Sequence, residues 1–497
     1  MRKLNKIKSS RSQDESVLDV SAEMFNEQSL SDWSIEKFKK ELKDAEDFIV
    51  ESHQYENIEI CFIYSEAMID RKQLNEFVFP SLAEMIYEKR FSQMSLMNEL
   101  VFTKIDTDLL LFERLLNGDL IILIEHEQWL FYRRMSDIAK RETEESATEI
   151  SIKGPRDGFT EDLNTNISLL RKRLKTPLLK NRTFVLGTKS QTDVSLVYLD
   201  QTISPKLLDT VIESLQSCQV EYLESSQQLE EYFGNNRLSF FPLVNYGGRA
   251  DFLAQSLRRG RFGIIIDGSP MALIAPTNLT EQIKSPEDFY HPYYFVALER
   301  LLRIFGFFVS IFLPGFYIAL SAYNVEQIPL YLLATITNSR FGIPFSAPME
   351  AFLMIWMFEI FREAGVRLPK SVGQTIAVIG GLIVGDAAIR AGLTSPTLLV
   401  VMAVSAVAQF TLINQSLLGT VTIFRLLVLI GSSFLGMFGF FISLYFVLTY
   451  IAGLTSFGVG YLEPLAPITI KEWVAAVLDR PKSSDIKPSR MLTEQKD

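Results

Sequence analysis

The stretch LFERLLNGDLIILIEHEQWLFY, residues Leu111–Tyr132, contains in order a helix pattern, a glycine, an apolar run, a polar turn and a second apolar run. The stretch LAQSLRRGRFGIIIDGSPMALI, residues Leu253–Ile274, repeats that order. A glycine directly after a helix pattern marks the end of the helix, and short runs of bulky and β-branched residues are typical of buried strands. The two stretches therefore predict two α/β subdomains with the same order of elements.

A further strand is predicted ahead of each stretch. NIEICFIY at Asn57–Tyr64 and VSLVYL at Val194–Leu199 are short apolar runs, and a helix pattern follows each of them. The two copies are separated by 135 residues at these first strands and by 143 residues at the later ones. This similar spacing indicates an internal duplication. The predicted fold class is a soluble α/β region of two similar subdomains, at residues 36–150 and 181–295, followed by an all-α polytopic membrane domain.

Two further segments are expected around these subdomains. Residues 1–35 are basic at the start but lack an apolar core, so they are interpreted as a disordered arm and not as a signal peptide. Residues 151–180 contain glycine and proline breakers and then an amphipathic helix pattern that ends in Arg171, Lys172 and Arg173. Two interpretations of this segment stay open: a linker helix with a solvated charged face, or a docking helix for a partner or for anionic lipid headgroups.

The distribution of charge separates the soluble region from a membrane region. Asp, Glu, Lys and Arg make up about 28% of residues 1–290 but about 8% of residues 291–460. The net charge of −10 argues against nucleic-acid binding. The two cysteines, Cys61 and Cys218, do not support a disulfide framework or a zinc site, and the three histidines share no ligand spacing. No metal and no cofactor are therefore expected.

Residues 296–460 are predicted to form a membrane domain with about five hydrophobic segments. About 20 apolar residues suffice to cross the hydrocarbon core of a bilayer. The five strong segments are 304–325, 341–361, 371–389, 397–413 and 426–451, and a weaker one is 327–339. The segment 426–451 is expected to cross as one tilted helix, because 26 residues rise about 39 Å.

The orientation of these segments follows in part from the positive-inside rule. Arg300 and Arg303 precede the first segment, which places the N-terminal domain in the cytoplasm. Five crossings would put the C-terminus on the opposite side, and four crossings, with 371–389 re-entrant, would keep it inside. The tail 461–497 contains the pattern of a short amphipathic helix at 467–478 that could lie in the membrane interface.

Ionisable residues inside the hydrophobic segments are the main functional candidates, since a charge at bilayer depth is costly. Glu350 and Asp386 are candidate ion-path residues because of their predicted depth. Glu359, Arg390 and Arg425 lie near segment ends and are interpreted as internal ion pairs or interfacial charges. The sequence contains no GxSxG, GxxxxGK[ST], HExxH or CxxC motif, so no catalytic residue is predicted and an enzyme is the least favoured class.

Four separated stretches resemble the GerA family of spore germination proteins. They are SIKGPRDGFTEDLNTNISLLRKRL (Ser151–Leu174), GRFGIIIDGSP (Gly260–Pro270), SPEDFY (Ser285–Tyr290) and REAGVRLPKSVGQTIAVIGGLIVGDAAIRAGLTSP (Arg362–Pro396). The resemblance covers nearly the whole chain after about residue 40 and is to the A subunit, which has a large soluble domain before its membrane segments. The chain departs from the family's Thr-Glu-Arg-Pro-Asp-like loop, because it has NYGGRAD at Asn245–Asp251. No role is assigned to that loop.

The resemblance implies a place and a function. It implies the inner membrane of a bacterial endospore, and a complex with a polytopic, transporter-like B subunit and a C subunit that is a lipoprotein. It also implies that the complex senses small nutrients and that the A subunit oligomerises and forms the ion-conducting element. The leading hypothesis is thus a subunit of a nutrient-gated cation channel.

Two alternatives to the channel are kept. A secondary transporter subunit would also use broken helices and carboxylates deep in the membrane, but it predicts an inverted repeat that we do not find between residues 301–361 and 371–451. A non-conducting signalling scaffold would use the soluble duplication to bind partners and the membrane part as an anchor only.

Overall fold

The computed structural model describes residues 33–55, 58–137, 153–233, 239–367, 385–465 and 473–474. The chain divides into two compact units, of which the first contains the described residues up to 233 together with 246–275, and the second contains 239–245 and the described residues from 276 onward. Most of three predicted segments lies outside the described residues: the arm 1–35, the segment 371–389 and the tail helix 467–478.

Two five-stranded sheets built from antiparallel pairs form the first unit. The first sheet contains β1 (Phe48–Tyr55), β2 (Ile58–Ser65), β3 (Thr103–Lys104), β4 (Leu120–Ile124) and β5 (Trp129–Arg133). The second contains β6 (Leu179–Leu186), β7 (Thr192–Leu199), β8 (Asn245–Gly247), β9 (Phe262–Ile266) and β10 (Ala272–Ala275). The strand orders are β1-β2-β4-β5-β3 and β6-β7-β9-β10-β8, which are the same order in the two copies. The predicted α/β region is confirmed, and its two subdomains share one topology.

The helices of the first unit follow the same repeated order. In the first copy they are α1 (Ile35–Glu41), α2 (residues 71–87, which includes a π-helical turn at Leu74–Val78), α3 (Gln93–Asn98) and α4 (Asp108–Leu116). In the second copy they are α5 (Leu163–Arg173), α6 (Pro205–Gln216), α7 (Ser226–Phe233) and α8 (Ala250–Arg258). Each copy therefore places two helices between its second and third strands and one helix directly before its fourth strand.

The run LIILI of β4 is apolar at every position because both faces of its sheet are covered. Leu120, Ile122 and Ile124 pack in one core with residues of α2 and α3. Ile121 and Leu123 pack in a second core with residues of α1 and α4. A strand that is buried on both faces reads as a continuous apolar run and not as an alternating one.

The helix predicted between the subdomains belongs to the core of the second one. Leu163, Ile167 and Leu170 of α5 are buried together with Leu253 and Leu257 of α8. The two subdomains also meet directly, through a parallel bridge between Ala45 and Asn181 and a hydrogen bond from the Glu46 N–H to the Asn181 carbonyl at 3.1 Å. The segment therefore does not act as a free linker.

The second unit is helical. Its helices are α9 (Leu279–Gln282), α10 (Tyr293–Ile318, continued by a π-helical segment Ala319–Tyr323), α11 (Leu330–Ser339), α12 (Ala347–Arg367), α13 (Gly385–Arg390), α14 (Pro396–Gln409) and α15 (Gln415–Gly453). A two-stranded ribbon, β11 (Thr455–Ser456) and β12 (Val459–Gly460), follows them. Among the described residues, two helices are long and apolar enough to cross a bilayer, Tyr293–Tyr323 and Gln415–Gly453, and Pro396–Gln409 is a shorter apolar helix.

Helix α15 is a hairpin of two helical arms, residues 415–435 and 437–453. The rings of Phe424 and Tyr450 lie 5.7 Å apart, whereas 26 residues of straight helix would separate them by about 39 Å. The chain reverses at Gly436, whose φ of 61° and ψ of −136° are accessible essentially to glycine alone. The prediction that 426–451 forms one spanning helix is therefore wrong, because hydropathy does not register a reversal within an apolar run.

The hairpin defines two ends of the helical unit. At the first end, the Leu279 N–H donates to the Tyr461 carbonyl at 2.9 Å, and the Asn414 side chain donates to that of Gln282. At the second end, the tip residue Gly436 lies against Tyr323 at the end of the π-helical segment. Both arms of α15 thus begin or finish at the first end, beside the segment that leads into α10.

Candidate functional site in the helical unit

Glu350 is completely buried in the first turn of α12. Its Oε2 accepts a hydrogen bond from the backbone N–H of Ser395 at 3.0 Å. Ser395 is the N-cap of α14, and its own Oγ accepts from the Leu398 N–H. The free N–H groups and the dipole at a helix N-terminus stabilise a negative charge there. The fold therefore places the N-terminus of α14 directly beside the Glu350 carboxylate.

Arg340 supplies the opposite charge. It is the C-cap residue of α11, and its Nη2 lies 3.2 Å from Oε1 of Glu350. Next to this pair, Thr397 Oγ1 is 3.1 Å from Ser339 Oγ and accepts a hydrogen bond from the Tyr317 hydroxyl at 3.0 Å. We call this group the Glu350 site; its members are Tyr317, Ser339, Arg340, Glu350, Ser395 and Thr397. It joins four helices near the second end of the unit.

Glu359 lies in a separate cluster, two and a half turns further along α12. Its carboxylate is paired with Arg425, and with Arg362 at 2.5 Å, and it accepts a hydrogen bond from Thr422 Oγ1 at 3.0 Å. The Gln409 amide donates to Thr422 Oγ1 at 3.0 Å. These residues come from α12, α14 and α15, so the Glu359 cluster is a joint between three helices. The single carboxylate of Glu359 thus has two guanidinium partners inside the unit, of which Arg425 is only 3% exposed.

An apolar layer separates the Glu350 site from the Glu359 cluster. The two carboxylates are nine residues apart on α12, or about 13 Å along the helix axis. The layer consists of side chains from α12, α14 and α15, namely Met354, Ile355, Leu398, Met402 and Leu429, all at most 3% exposed. A charged group cannot pass between the two levels through this packing without displacing it.

Asp386 and Arg390 lie on the surface of the helical unit. They form an i,i+4 ion pair at 2.8 Å on α13, and their side chains are 58% and 79% exposed. Asp386 thus does not share the buried environment of Glu350 within one chain. Residues 368–384, which precede this helix, lie outside the described part of the chain.

The predicted docking residues are placed in the first unit. Arg171 is 1% exposed and donates to both carboxylate oxygens of Asp47, at 2.9 and 2.7 Å. The prediction that it docks a partner or lipid is wrong, because its guanidinium is taken up by this internal pair. Lys172 and Arg173 remain closer to the surface, and both approach Asp157, at 3.9 and 2.5 Å.

Sequence reasoning did not single out Arg340, Ser395 or Thr422. For Arg340 a signal exists, because it is the one charged residue between Glu326 and Glu350 in a long apolar stretch. Ser395 and Thr422 carry no such signal, since serine and threonine are common in apolar helices and at helix N-caps.

The comparison with known protein families decides the identity of the chain. The family model described as "Bacillus/Clostridium GerA spore germination protein" matches residues 36–489. The chain belongs to the GerA family. The resemblance found from the four sequence stretches is confirmed. The matched range contains the described residues of both units from residue 36 onward, so the GerA match covers the sheets and the helices alike.

Relatives of known name agree with the GerA family. The chain is 40% identical over 418 residues to spore germination protein XA of Bacillus anthracis. The match covers 82% of this chain and 84% of that protein. It is 35% identical over 328 residues to the uncharacterized membrane protein YfkQ of Bacillus subtilis (strain 168), with 66% and 64% covered. A crystal structure of the N-terminal domain of the A subunit of the Bacillus megaterium spore germinant receptor GerK3 is also similar. It shares 20% identity and has a TM-score of 0.38, and the match covers 50% of this chain and 97% of that one.

Proposed function

We propose that this chain is the A subunit of a spore germinant receptor in the inner membrane of the spore. The subunit senses nutrients together with a polytopic B subunit and a lipoprotein C subunit. The observation that carries the proposal is the GerA family match over residues 36–489, supported by the 40% identity to a spore germination protein. The α/β unit is the cytoplasmic part of the subunit.

The surface of the helical unit supports a polytopic membrane domain. Large apolar side chains point outward: Phe410, Phe434, Phe438 and Tyr445 are between 66% and 79% exposed. The carboxylates of Glu350 and Glu359 point inward and are paired with arginines. Charges inside and apolar groups outside are expected of helices surrounded by lipid. Arg300 and Arg303 lie at the first end, and by the positive-inside rule they support a cytoplasmic position for that end.

We further propose that several copies assemble into a nutrient-gated cation channel. Glu350 is the candidate ion-path residue inside each copy, and Asp386 is the candidate between copies. Asp386 is exposed on a unit whose surface is otherwise rich in apolar groups, and a charge in that position needs water or a partner protein. The interior of a ring of copies would supply both.

A non-conducting scaffold is the second candidate function. In the described part of the helical unit, Glu350, Glu359 and Asp386 each have an arginine within ion-pair distance. A carboxylate that is already neutralised does not attract a mobile cation. The same observation is expected of a channel at rest, so the two candidates differ in whether these pairs open.

The proposal is tested in spores that lack this chain or carry a variant of it. Potassium release is measured after addition of amino acids, sugars or nucleosides, one at a time. Loss of release for at least one nutrient is expected when the chain is absent, and normal release for every nutrient would contradict the receptor function. Glu350→Gln and Asp386→Asn are each expected to slow release roughly tenfold at normal protein level, which corresponds to a barrier change of about 1.4 kcal/mol.

The native mass separates the channel from the scaffold. The chain is purified in mild detergent or nanodiscs, with and without its partner subunits. A closed ring of several copies is expected for the channel. One copy per complex would rule out a symmetric pore and leave the scaffold.

A further inference from the structure

Helix α11 is loosely attached to the rest of the helical unit. Ile336 is its one buried residue, whereas Leu330 and Tyr331 at its start are 79% and 92% exposed. Phe341, just after the helix, is 93% exposed. The polar contacts that join α11 to its neighbours lie at its C-terminal end, from Ser339 to Thr397 and from Arg340 to Glu350. An element held at one end by polar contacts can move without disturbing an apolar core.

The groups that bind the buried carboxylates of the helical unit differ in how easily they can move away from them. Glu350 is completely buried, and the Ser395 N–H that binds it is fixed at the start of α14. The Arg340 side chain is 26% exposed, so its charge reaches the buried carboxylate from the surface. Arg425, the partner of Glu359, has a side chain that is only 4% exposed in the middle of a helical arm. Arg340 can therefore withdraw from its carboxylate, and Arg425 cannot.

The contact between Arg340 and Glu350 is ionic in character. Among the described residues, Glu350 Oε1 makes no hydrogen bond of good geometry, although Arg340 Nη2 is 3.2 Å away. The hydroxyl of Thr394, 1% exposed and next to Ser395, also has no hydrogen-bond partner in the described part of the chain. Carboxylate and hydroxyl oxygens are the ligands that hard cations prefer. Glu350 Oε1 can thus serve as a ligand for a small cation once the guanidinium has left.

We propose that Arg340 is a tethered cation that occupies the Glu350 site in the resting receptor, and that outward movement of α11 withdraws it so that a monovalent cation takes its place. The inference rests on the proposed channel function and adds the regulation of its ion-path carboxylate. It assigns Arg340 a gating role and α11 the role of the moving element. Nutrient sensing would shift the population of chains in which α11 has moved.

The first test replaces the tethered charge. Arg340→Gln is expected to raise potassium release in the absence of nutrient roughly tenfold, as when a minor open population rises from about 1% to about 10%. The double variant Arg340→Gln/Glu350→Gln is expected to return this release to the wild-type level, because no carboxylate remains to attract the cation. Arg340→Lys keeps the charge and is expected to stay closed.

Arg362→Gln is the matched control. The Arg362 side chain is also 26% exposed, and it also pairs with a carboxylate of α12, that of Glu359. When Arg362 is replaced, however, Glu359 keeps Arg425 as a partner. Without nutrient, this variant is expected to release potassium at the same rate as the wild type. Equal leakage from Arg340→Gln and Arg362→Gln would show that loss of any guanidinium disturbs the helices, and it would overturn the specific role of Arg340.

The second test keeps Arg340 and restrains α11. The hydroxyls of Ser339 and Thr397 are 3.1 Å apart, so cysteines at both positions are in reach of each other. Burial raises the pKa of the native Cys61 thiol to about 12, which keeps it unreactive, and Cys218 is replaced by serine. A membrane-permeant thiol oxidant is expected to abolish nutrient-triggered potassium release, and a reductant is expected to restore it. The single variant Ser339→Cys should respond to neither reagent.

Failure of the inference differs from failure of the proposed function. If potassium release needs this chain but the oxidised cysteine pair releases potassium normally, α11 does not gate and the inference is overturned. The inference would also be overturned if the Arg340→Gln variant, at normal protein level and without nutrient, released potassium only at the wild-type rate. If spores without the chain release potassium normally, the receptor function itself is excluded.

Discussion

Asp47 and Arg171 form an ion pair that is almost completely excluded from water. Their side chains are 2% and 1% exposed, and the guanidinium also lies 4.8 Å from the ring centre of Phe48. Asp47 is on the first subdomain and Arg171 is on α5 of the second. The pair therefore joins the two copies of the duplicated fold across their shared interface, next to the bridge between Ala45 and Asn181.

Arg171→Met is expected to destabilise the first unit by about 3–5 kcal/mol, because it leaves the Asp47 carboxylate buried without a counter-charge. Lys172→Met, at the next position but 47% exposed, is the control and should change stability by less than about 0.5 kcal/mol. Thermal unfolding of the detergent-solubilised chain measures both. The double variant Asp47→Leu/Arg171→Met should recover most of the loss, and a loss equal to that of the single variant would contradict the unpaired charge as its cause.

The sequence indicates which charged residues matter but not which partners they have. Glu350 stands out because few charges occur in an apolar stretch, and it is fully buried. Its partner atoms belong to Arg340 and Ser395, ten and 45 residues away on other elements, and no local pattern encodes such contacts. Arg171 was misjudged for the same reason, since its local run of basic residues looks solvated and Asp47 lies 124 residues earlier.

At the scale of elements, Gly436 sets the shape of the helical unit. A Cβ atom at this position would lie 2.8 Å from the side chain of Tyr323, and the backbone there has a φ of 61°. Both the conformation and the close approach exclude a larger residue. The reversal of α15 depends on this glycine, because every other residue of the two arms has a helical backbone.

Gly436→Ala is expected to destabilise the helical unit by at least about 1–3 kcal/mol, the cost of an alanine in a backbone region reserved for glycine. Gly419→Ala, in the first arm of the same hairpin, meets nothing within 4 Å and should be neutral or stabilising by up to about 1 kcal/mol. Thermal unfolding in detergent compares the two variants. Equal unfolding temperatures would contradict the hairpin geometry.

The sequence predicted elements best where burial is complete. The strands β4, β7 and β9 and the helices α4 and α8 lie where their apolar patterns place them. The edge strands β1 and β6 were missed, because they carry polar residues at alternating or partly exposed positions. The reversal at Gly436 was missed since glycines in an apolar segment also favour close helix packing, and sequence spacing does not separate the two roles.

At the scale of the whole molecule, the helical unit combines buried ion pairs with an apolar exterior, and its chain returns to the same two ends. The Tyr461 carbonyl accepts from Leu279 at the first end, while Arg340 and Glu350 meet near the second. The residues after α15 therefore leave the unit where the residues before α10 enter it. We propose from this placement that the C-terminal tail lies on the side of the first end; the hairpin of α15 replaces the single crossing on which the count of four or five was based.

The side of the tail can be measured with single cysteines and an impermeant thiol reagent. Leu465→Cys, after the hairpin, is expected to be labelled from the same face of sealed vesicles as Phe289→Cys at the first end. Phe341→Cys at the second end is the control and should be labelled from the opposite face. All three native side chains are at least 38% exposed. Labelling of Leu465→Cys together with Phe341→Cys would contradict the return of the hairpin to the first end.

The hairpin also has a consequence for how the protein is made. Residues 461–497 contain 12 charged side chains, and moving each across a hydrocarbon core would cost free energy during synthesis. In the proposed membrane topology, the two arms of α15 leave and rejoin the same end, so they can insert together as one unit, and the tail that follows would stay on the face where the ribosome produced it. The last step of biogenesis then requires no translocation of charge, and Gly436 is the residue that makes this possible.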